Sequence, residues 1–418
     1  MVSADNLNFD CLELIFAYLA GNDLVAVSLV SRSFLSAVTP RLYRTLTFGL
    51  RQAKRYPSII SPFAAINAHH QLATHVRHID IRAVPTVKFS PQPKFVADCM
   101  RAIGLSQNLG SFTCTLEVVT SFLPSLKDKP SLESLRCIAN FTTDQTSQAV
   151  KIQGLRSLTL DSGSWNVVDA LPDWSTALTP SLTSLTLTNM PTLSVEIMES
   201  TLPNLPSLDC LHILGCPKID QSSMLRLLVH TPQLQSLAFT SYESARQLPT
   251  TVTPLVNLRH LAIETQSVTT PGSSSPAFWV MMINMTRTWS CPLKSIAFKL
   301  PDKIVLADVV VNNLVSSHRA TLTHLALRNL SLSREGAFEV FRECTELETI
   351  KLSLPNKDIH TFAQALSHAK RVHTITDMGD VHGPSSQRAP IQKTEIRALM
   401  AHQDSVEKII ADGRTWTV

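Results

Sequence analysis

Residues 208–219 read LDCLHILGCPKI, and the spacing of Leu208, Leu211 and Ile213 decides the architecture. The same L-x-x-L-x-L pattern recurs at Leu155-Leu158-Leu160, Leu182-Leu185-Leu187, Leu234-Leu237-Phe239 and Leu258-Leu261-Ile263. It continues at Leu293-Ile296-Phe298, Leu322-Leu325-Leu327 and Leu347-Ile350-Leu352. Weaker copies stand at Val76-Ile79-Ile81, Leu109-Phe112-Cys114, Leu132-Leu135-Cys137 and Val372-Ile375. Most starts lie roughly 23–29 residues apart, with two longer gaps after Val76 and Leu258. Apolar residues at positions four and six alternate with polar ones, as a strand half-buried on a core requires. The rest of each unit must turn, run outside and return. One unit cannot hide its own apolar face, so each leans on its neighbours and a solenoid results.

The period and pattern resemble leucine-rich repeats. Residues 208–219, with Cys216, and residues 322–344, LTHLALRNLSLSREGAFEVFREC, resemble the cysteine-containing subtype. Tyr43-Leu46-Phe48 reads as a first strand, and about eleven or twelve repeats are expected. Residues 269–276 read as a flexible loop opening a helix from Ala277 to Trp289, with Ser275 as cap and Pro276 as first residue. A loose stretch from Gly379 to Pro390 follows. Ile396, Leu399, Met400, Val406 and Ile410 then fit a helix from Lys393 to Ala411 that caps the array.

The N-terminal stretch is of another kind. Leu12, Ile15, Phe16 and Leu19 recur at helical spacing. Asn8 is placed to cap that helix, Gly21-Asn22 to break it and Asp23 to cap a second. Ser31 is placed to cap a third, ending before Thr39-Pro40. Three short helices cannot bury a self-sufficient core, so their apolar side needs a partner or the rest of the chain.

The anchors Leu7, Leu12-Glu13-Leu14-Ile15-Phe16, Leu19, Asp23-Leu24 and Val30-Ser31-Arg32-Ser33-Phe34 resemble the F-box. The departures are Asn8, where that family usually has proline, and Cys11, where it has a larger aliphatic. The resemblance implies an α/β chain: a short three-helix F-box, then a leucine-rich-repeat solenoid with parallel strands on the concave face and helices outside. The implied boundaries are 1–48 for the F-box, 49–75 for a connector, 76–378 for the array, and 379–418 for a loop and C-terminal capping helix. It further implies a substrate receptor of a Skp–cullin–F-box ubiquitin ligase. Leu7, Leu12, Ile15, Phe16, Leu19, Leu24, Val30 and Phe34 would then hold the Skp-type adaptor, and through it the cullin and RING subunits. The array would bind a protein substrate. Two other roles stay open: a scaffold that binds the adaptor without ubiquitination, and a regulatory repeat protein whose first helices are only an end cap.

Composition narrows the alternatives. A net charge of +4, 17% charged residues and no like-charge block do not make a nucleic-acid protein. Aromatic residues are 6%, too few for base-stacking platforms. The eight cysteines include no C-x-x-C pair, so buried reduced thiols are expected and no metal site. The apolar stretch near the N-terminus is broken by Asp10, Glu13 and Asp23, and no membrane association is expected. The cytoplasm or nucleus is the expected location.

Outward positions name a candidate substrate surface. The row between positions four and six runs Thr159, Thr186, His212, Ala238, Ala262, Ala297, Ala326 and Lys351. The row beyond position six includes Glu264, Lys299 and Arg328. Lys299, Arg328 and Lys351 would lie near one another and suit an acidic or phosphorylated segment, with His212 and Glu264 on the same face. A further row, Ser236, His260, Ser295 and His324, pairs serine with histidine. Parallel strands spend their backbone donors on the ladder, leaving no oxyanion hole, and no G-x-S-x-G turn is present. No catalysis and no cofactor are expected; Gly is scarce at 12 residues and no phosphate-binding loop appears.

Overall fold

A computed structural model describes residues 8–242, 248–249, 251–266, 275–355, 358–379 and 391–417, the side chains of residues 275, 276 and 302 excepted. The chain divides into two compact units, Met1–Thr192 and Leu193–Val418. Leu7, most of the loop 269–276, the side chains of Ser275 and Pro276, and residues 380–390 lie outside the described residues.

The first unit begins with helices α1 (Phe9–Phe16), α2 (Asn22–Ser28) and α3 (Arg32–Leu42). Ser31 caps α3 as expected, its hydroxyl accepting from Phe34 N at 3.2 Å. Three details differ from the sequence reading. Asn8 stands at the N-cap of α1, but its side chain makes no capping bond. Gly21, at φ +56°, replaces Asp23 as the cap of α2, and Asp23 lies in the first turn where its charge suits the helix dipole. α3 does not stop at Thr39 but carries Pro40 inside its last turns. The helix is held there by buried Ala37 and Val38, and Tyr43 N still reaches Thr39 O at 3.1 Å.

The strands of this unit are β1 (Thr45–Phe48), β2 (His78–Ile81), the hairpin β3 (Thr86–Val87) and β4 (Ser90–Pro91), then β5 (Ser111–Cys114), β6 (Ser134–Ile138), β7 (Ser157–Asp161) and β8 (Ser184–Thr188). Hairpin apart, they pair in parallel, each with the next. The inward pairs, such as Ile79 and Ile81, Leu135 and Cys137, or Leu185 and Leu187, are nearly fully buried. Just before each strand the backbone repeats one device. The Arg44 carbonyl accepts from Arg77 N at 2.9 Å and His78 N at 3.0 Å, and the Arg77 carbonyl accepts from Gly110 N at 2.8 Å and Ser111 N at 3.0 Å. Stacked repeats therefore share register down to the residue that precedes the strand.

The second unit repeats the plan with β9 (Cys210–Leu214), β10 (Ser236–Tyr242), β11 (His260–Gln266), β12 (Ser295–Val305), β13 (His324–Ser331), β14 (Thr349–Leu352), β15 (Thr374–Asp377) and β16 (Lys408–Ala411). These also run parallel, with a bulge in β12 between Lys299 and Ile304. Helices connect the strands and pack on one another from Ser275–Thr288 through Asp308–His318, Arg334–Glu343 and Ile359–Leu366 to Lys393–Ala401. Trp279 is fully buried, stacks on Phe298 at 4.8 Å and donates to Thr265 Oγ1 at 3.2 Å.

The C-terminus corrects an expectation. The helix ends at Ala401, and residues 408–411 form β16 with the antiparallel β17 (Arg414–Thr417) closing on it. Val406, Ile409 and Ala411 are buried at the spacing of one more repeat, so this segment extends the ladder, and the turn at Gly413, φ +71°, folds the chain back over the last edge. Among the described residues the strands also outrun the expected count: six parallel strands stand in the first unit and eight in the second.

Of the cysteines, Cys11 is exposed and Cys210 half-buried; the other six are buried, and all eight are free thiols. Burial pushes the Cys114, Cys137 and Cys344 thiols up to about 12, which keeps them protonated and inert.

Candidate functional site

The sequence placed Leu12, Ile15, Phe16 and Leu19 on one face of α1, but the structure divides them. Leu12 (2% exposed), Phe16 (4%), Leu24, Ala37 and Val38 form the module's own small core, with Leu19, Val27, Phe34 and Leu42 partly buried against it. Phe16 and Phe34 meet with ring centroids 5.2 Å apart. Ile15 and Val30 instead face outward. Also exposed are residues not expected among the adaptor contacts: Phe9, Leu14, Tyr18 (91% exposed), Val25, Leu29 (82%) and Leu35.

Among the described residues, eight of the nineteen exposed large hydrophobics fall between Phe9 and Leu35. Scattered apolar residues are ordinary on a surface, whereas this density marks an interaction face. The apolar side is therefore not covered by the repeats that follow. Of the eight residues expected to meet an adaptor, Ile15 and Val30 are exposed. Leu12, Phe16 and Leu24 shape the face from beneath, and Leu19 and Phe34 lie at its edge.

On the strands of the second unit, Glu264, Lys299 and Arg328 occupy one register row, as the repeat spacing predicted. The expected cluster of three cations is modified by charge pairing: Lys299 Nζ lies 2.9 Å from Glu264 Oε1. Arg328 and Lys351 are exposed and in no ion pair among the described residues. Lys351 pairs in register with Ala326, so it sits one row away from Arg328.

His212 is turned into a local polar group, its Nε2 2.9 Å from Ser236 Oγ and 3.4 Å from Cys210 Sγ. Burial first, then His260, lowers its pKa. The row Ser236, His260, Ser295 and His324 is in register. No carboxylate hydrogen-bonds to the His260 or His324 imidazole among the described residues, and the adjoining backbone donors are engaged in the ladder. The described residues contain no group of three or more His, Cys, Asp or Glu able to hold a metal, and no helix long and apolar enough to cross a membrane.

Comparison with known proteins agrees with this geometry. The F-box domain model matches residues 5–43, the span of α1–α3. A chain from the crystal structure of the Rad7 and Elc1 complex in yeast matches with a TM-score of 0.51 and 17% identity, over 92% of this chain and 90% of that one. At that identity the likeness is one of fold. No curated protein sequence matches.

Proposed function

Because residues 5–43 match the F-box domain and the strands that follow stack in the manner of leucine-rich repeats, we propose that this chain serves as a substrate receptor of a Skp–cullin–F-box ubiquitin ligase. The observation that carries the reading is the apolar outer face of α1 and α2, built on Leu14, Ile15, Tyr18, Leu29 and Val30. Exposed aliphatic and aromatic anchors of this density are what a protein partner desolvates as hot spots. The partner proposed is a Skp-type adaptor, which tethers the cullin and RING subunits. The crystallised complex of Rad7 with Elc1 supports the reading by analogy of architecture.

The chain's contribution is proximity. The adaptor holds one end, and the strand faces of the array hold a protein substrate, with Arg328, Lys351, His212 and the Lys299–Glu264 pair as candidate contacts. Substrate lysines are thereby kept at high effective concentration near an activated thioester formed on another subunit. No catalytic group is needed on this chain. Co-expression with a Skp-type adaptor and a cullin–RING pair tests the proposal. A stoichiometric complex containing all four proteins is expected. Adaptor bound without cullin would reduce the role to a scaffold, and no adaptor bound would end the reading.

A further inference from the structure

A cleft of about 470 Å³ opens between the F-box helices and the start of the first strands. Its walls carry Arg41, Arg44, His75, Arg77 and His78, with Glu13 the one carboxylate among its lining residues. This concentration stands out in a chain whose net charge is only +4.

The cations are held in place by backbone. The Arg44 carbonyl takes both Arg77 N and His78 N, so Arg44 and Arg77 are rooted one parallel-strand spacing apart, about 4.8 Å. Arg41 is fixed by its Nε donating to Leu19 O at 3.1 Å, and Arg77 by Nη1 donating to Thr74 O at 2.7 Å. None of the three arginines forms an ion pair among the described residues, and neither does Glu13. The Arg44 side chain makes no hydrogen bond at all among them. Burial, then Arg44 and Arg77, depress the His78 pKa, a sign that positive charge here lacks compensation.

Arginines rooted one strand spacing apart, with most of their guanidinium donors unused and no carboxylate paired with them, match the paired oxygens of a phosphate. The cleft is of the size that takes more than a bare anion, within the range of ligand sites. We propose that this cleft binds a phosphate monoester carried on a peptide, a phosphoserine or phosphothreonine with its flanking residues, through Arg44 and Arg77 with Arg41 at the rim. The site is distinct from the apolar outer face of α1 and α2, and it does not depend on the ligase reading.

The test uses the 418-residue chain and fluorescence polarisation at near-physiological salt. The probes are a phosphoserine peptide library, the same library unphosphorylated, and inositol hexakisphosphate. The phosphorylated library is expected to bind about tenfold or more tighter than the unphosphorylated one. Arg44→Gln should remove about tenfold in affinity, the equivalent of one charge-assisted hydrogen bond, while Lys370→Gln, at an exposed position outside every candidate contact, leaves it unchanged. The Arg44 side chain makes no hydrogen bond among the described residues and the backbone bonds of Arg44 do not need it, so its variant is expected to stay folded, and circular dichroism checks this. The His78 imidazole resonances should also move when the wild-type chain takes the phosphopeptide. Equal binding of both libraries, binding of inositol hexakisphosphate alone, a folded Arg44→Gln chain with full affinity, or unmoved His78 resonances would each overturn the proposal.

Discussion

Replacing Ile15 and Phe16 one at a time separates two roles that adjacent residues play in α1. Phe16 is 4% exposed and packs with Leu12, Leu24, Ala37 and Val38, its ring against Phe34. Phe16→Ala removes a ring from a core of few side chains, and such truncations cost about 3–5 kcal/mol. Whole domains are stable by only about 5–15 kcal/mol, so the three-helix module should melt locally. Ile15 is half exposed and contributes little to that core. Ile15→Ala should change stability by less than about 0.5 kcal/mol. As an interface anchor it should cost about 2 kcal/mol or more in adaptor binding, roughly thirtyfold in Kd. Hydrogen exchange of α1–α3 reads the first quantity, and calorimetric titration with a Skp-type adaptor reads the second. The reasoning fails if Ile15→Ala unfolds the module as Phe16→Ala does, or if it binds adaptor with wild-type affinity.

Other perturbations probe the array. His318 is 4% exposed, bonds Thr286 Oγ1 through Nε2 at 2.8 Å, and is lowered by burial to about 4 from 6.5. The unfolded chain takes up this proton first, so stability is full above about pH 6.5 and declines as pH falls toward about 4, by on the order of 3 kcal/mol. Denaturant titrations across that window should show the decline, and His318→Gln should flatten it. Ile409→Ala, in the buried row of β16, should cost about 2–5 kcal/mol and loosen β15–β17 first, seen as faster exchange of those amides. Arg328→Glu should weaken substrate capture, whereas Lys299→Gln should shift stability by no more than about 1 kcal/mol, since its pair with Glu264 is partly solvated. Proximity labelling after proteasome inhibition measures the first and thermal denaturation the second.

Most of the ladder was legible because each strand carries two apolar residues two apart, and only the stacked arrangement buries them. The last repeat was not. Val406-Glu407-Lys408-Ile409-Ile410-Ala411 continues the apolar spacing of Lys393–Ala401 closely enough to read as helix, and only pairing with Thr374 and Ile375 favours strand. In the F-box the anchors were legible, but their direction was not. α1 is apolar on nearly every side, with Leu12, Leu14, Ile15, Phe16, Tyr18 and Leu19 in and just after it, so periodicity cannot say which face meets α3. The basic cleft was hidden because Arg44 and Arg77 belong to different repeats. Aligning the residue before each strand would have put them side by side, since that position is fixed by the shared carbonyl. The charge of Lys299 was legible and its partner was too, yet the 2.9 Å contact that neutralises it depends on rotamers.

The most direct test of the central claim is a hydrogen-exchange comparison of the chain with and without a saturating Skp-type adaptor. The account predicts new protection across α1 and α2, around Ile15, Tyr18, Leu29 and Val30, with β9–β16 unchanged. Protection confined to the repeats, or none anywhere, would contradict it.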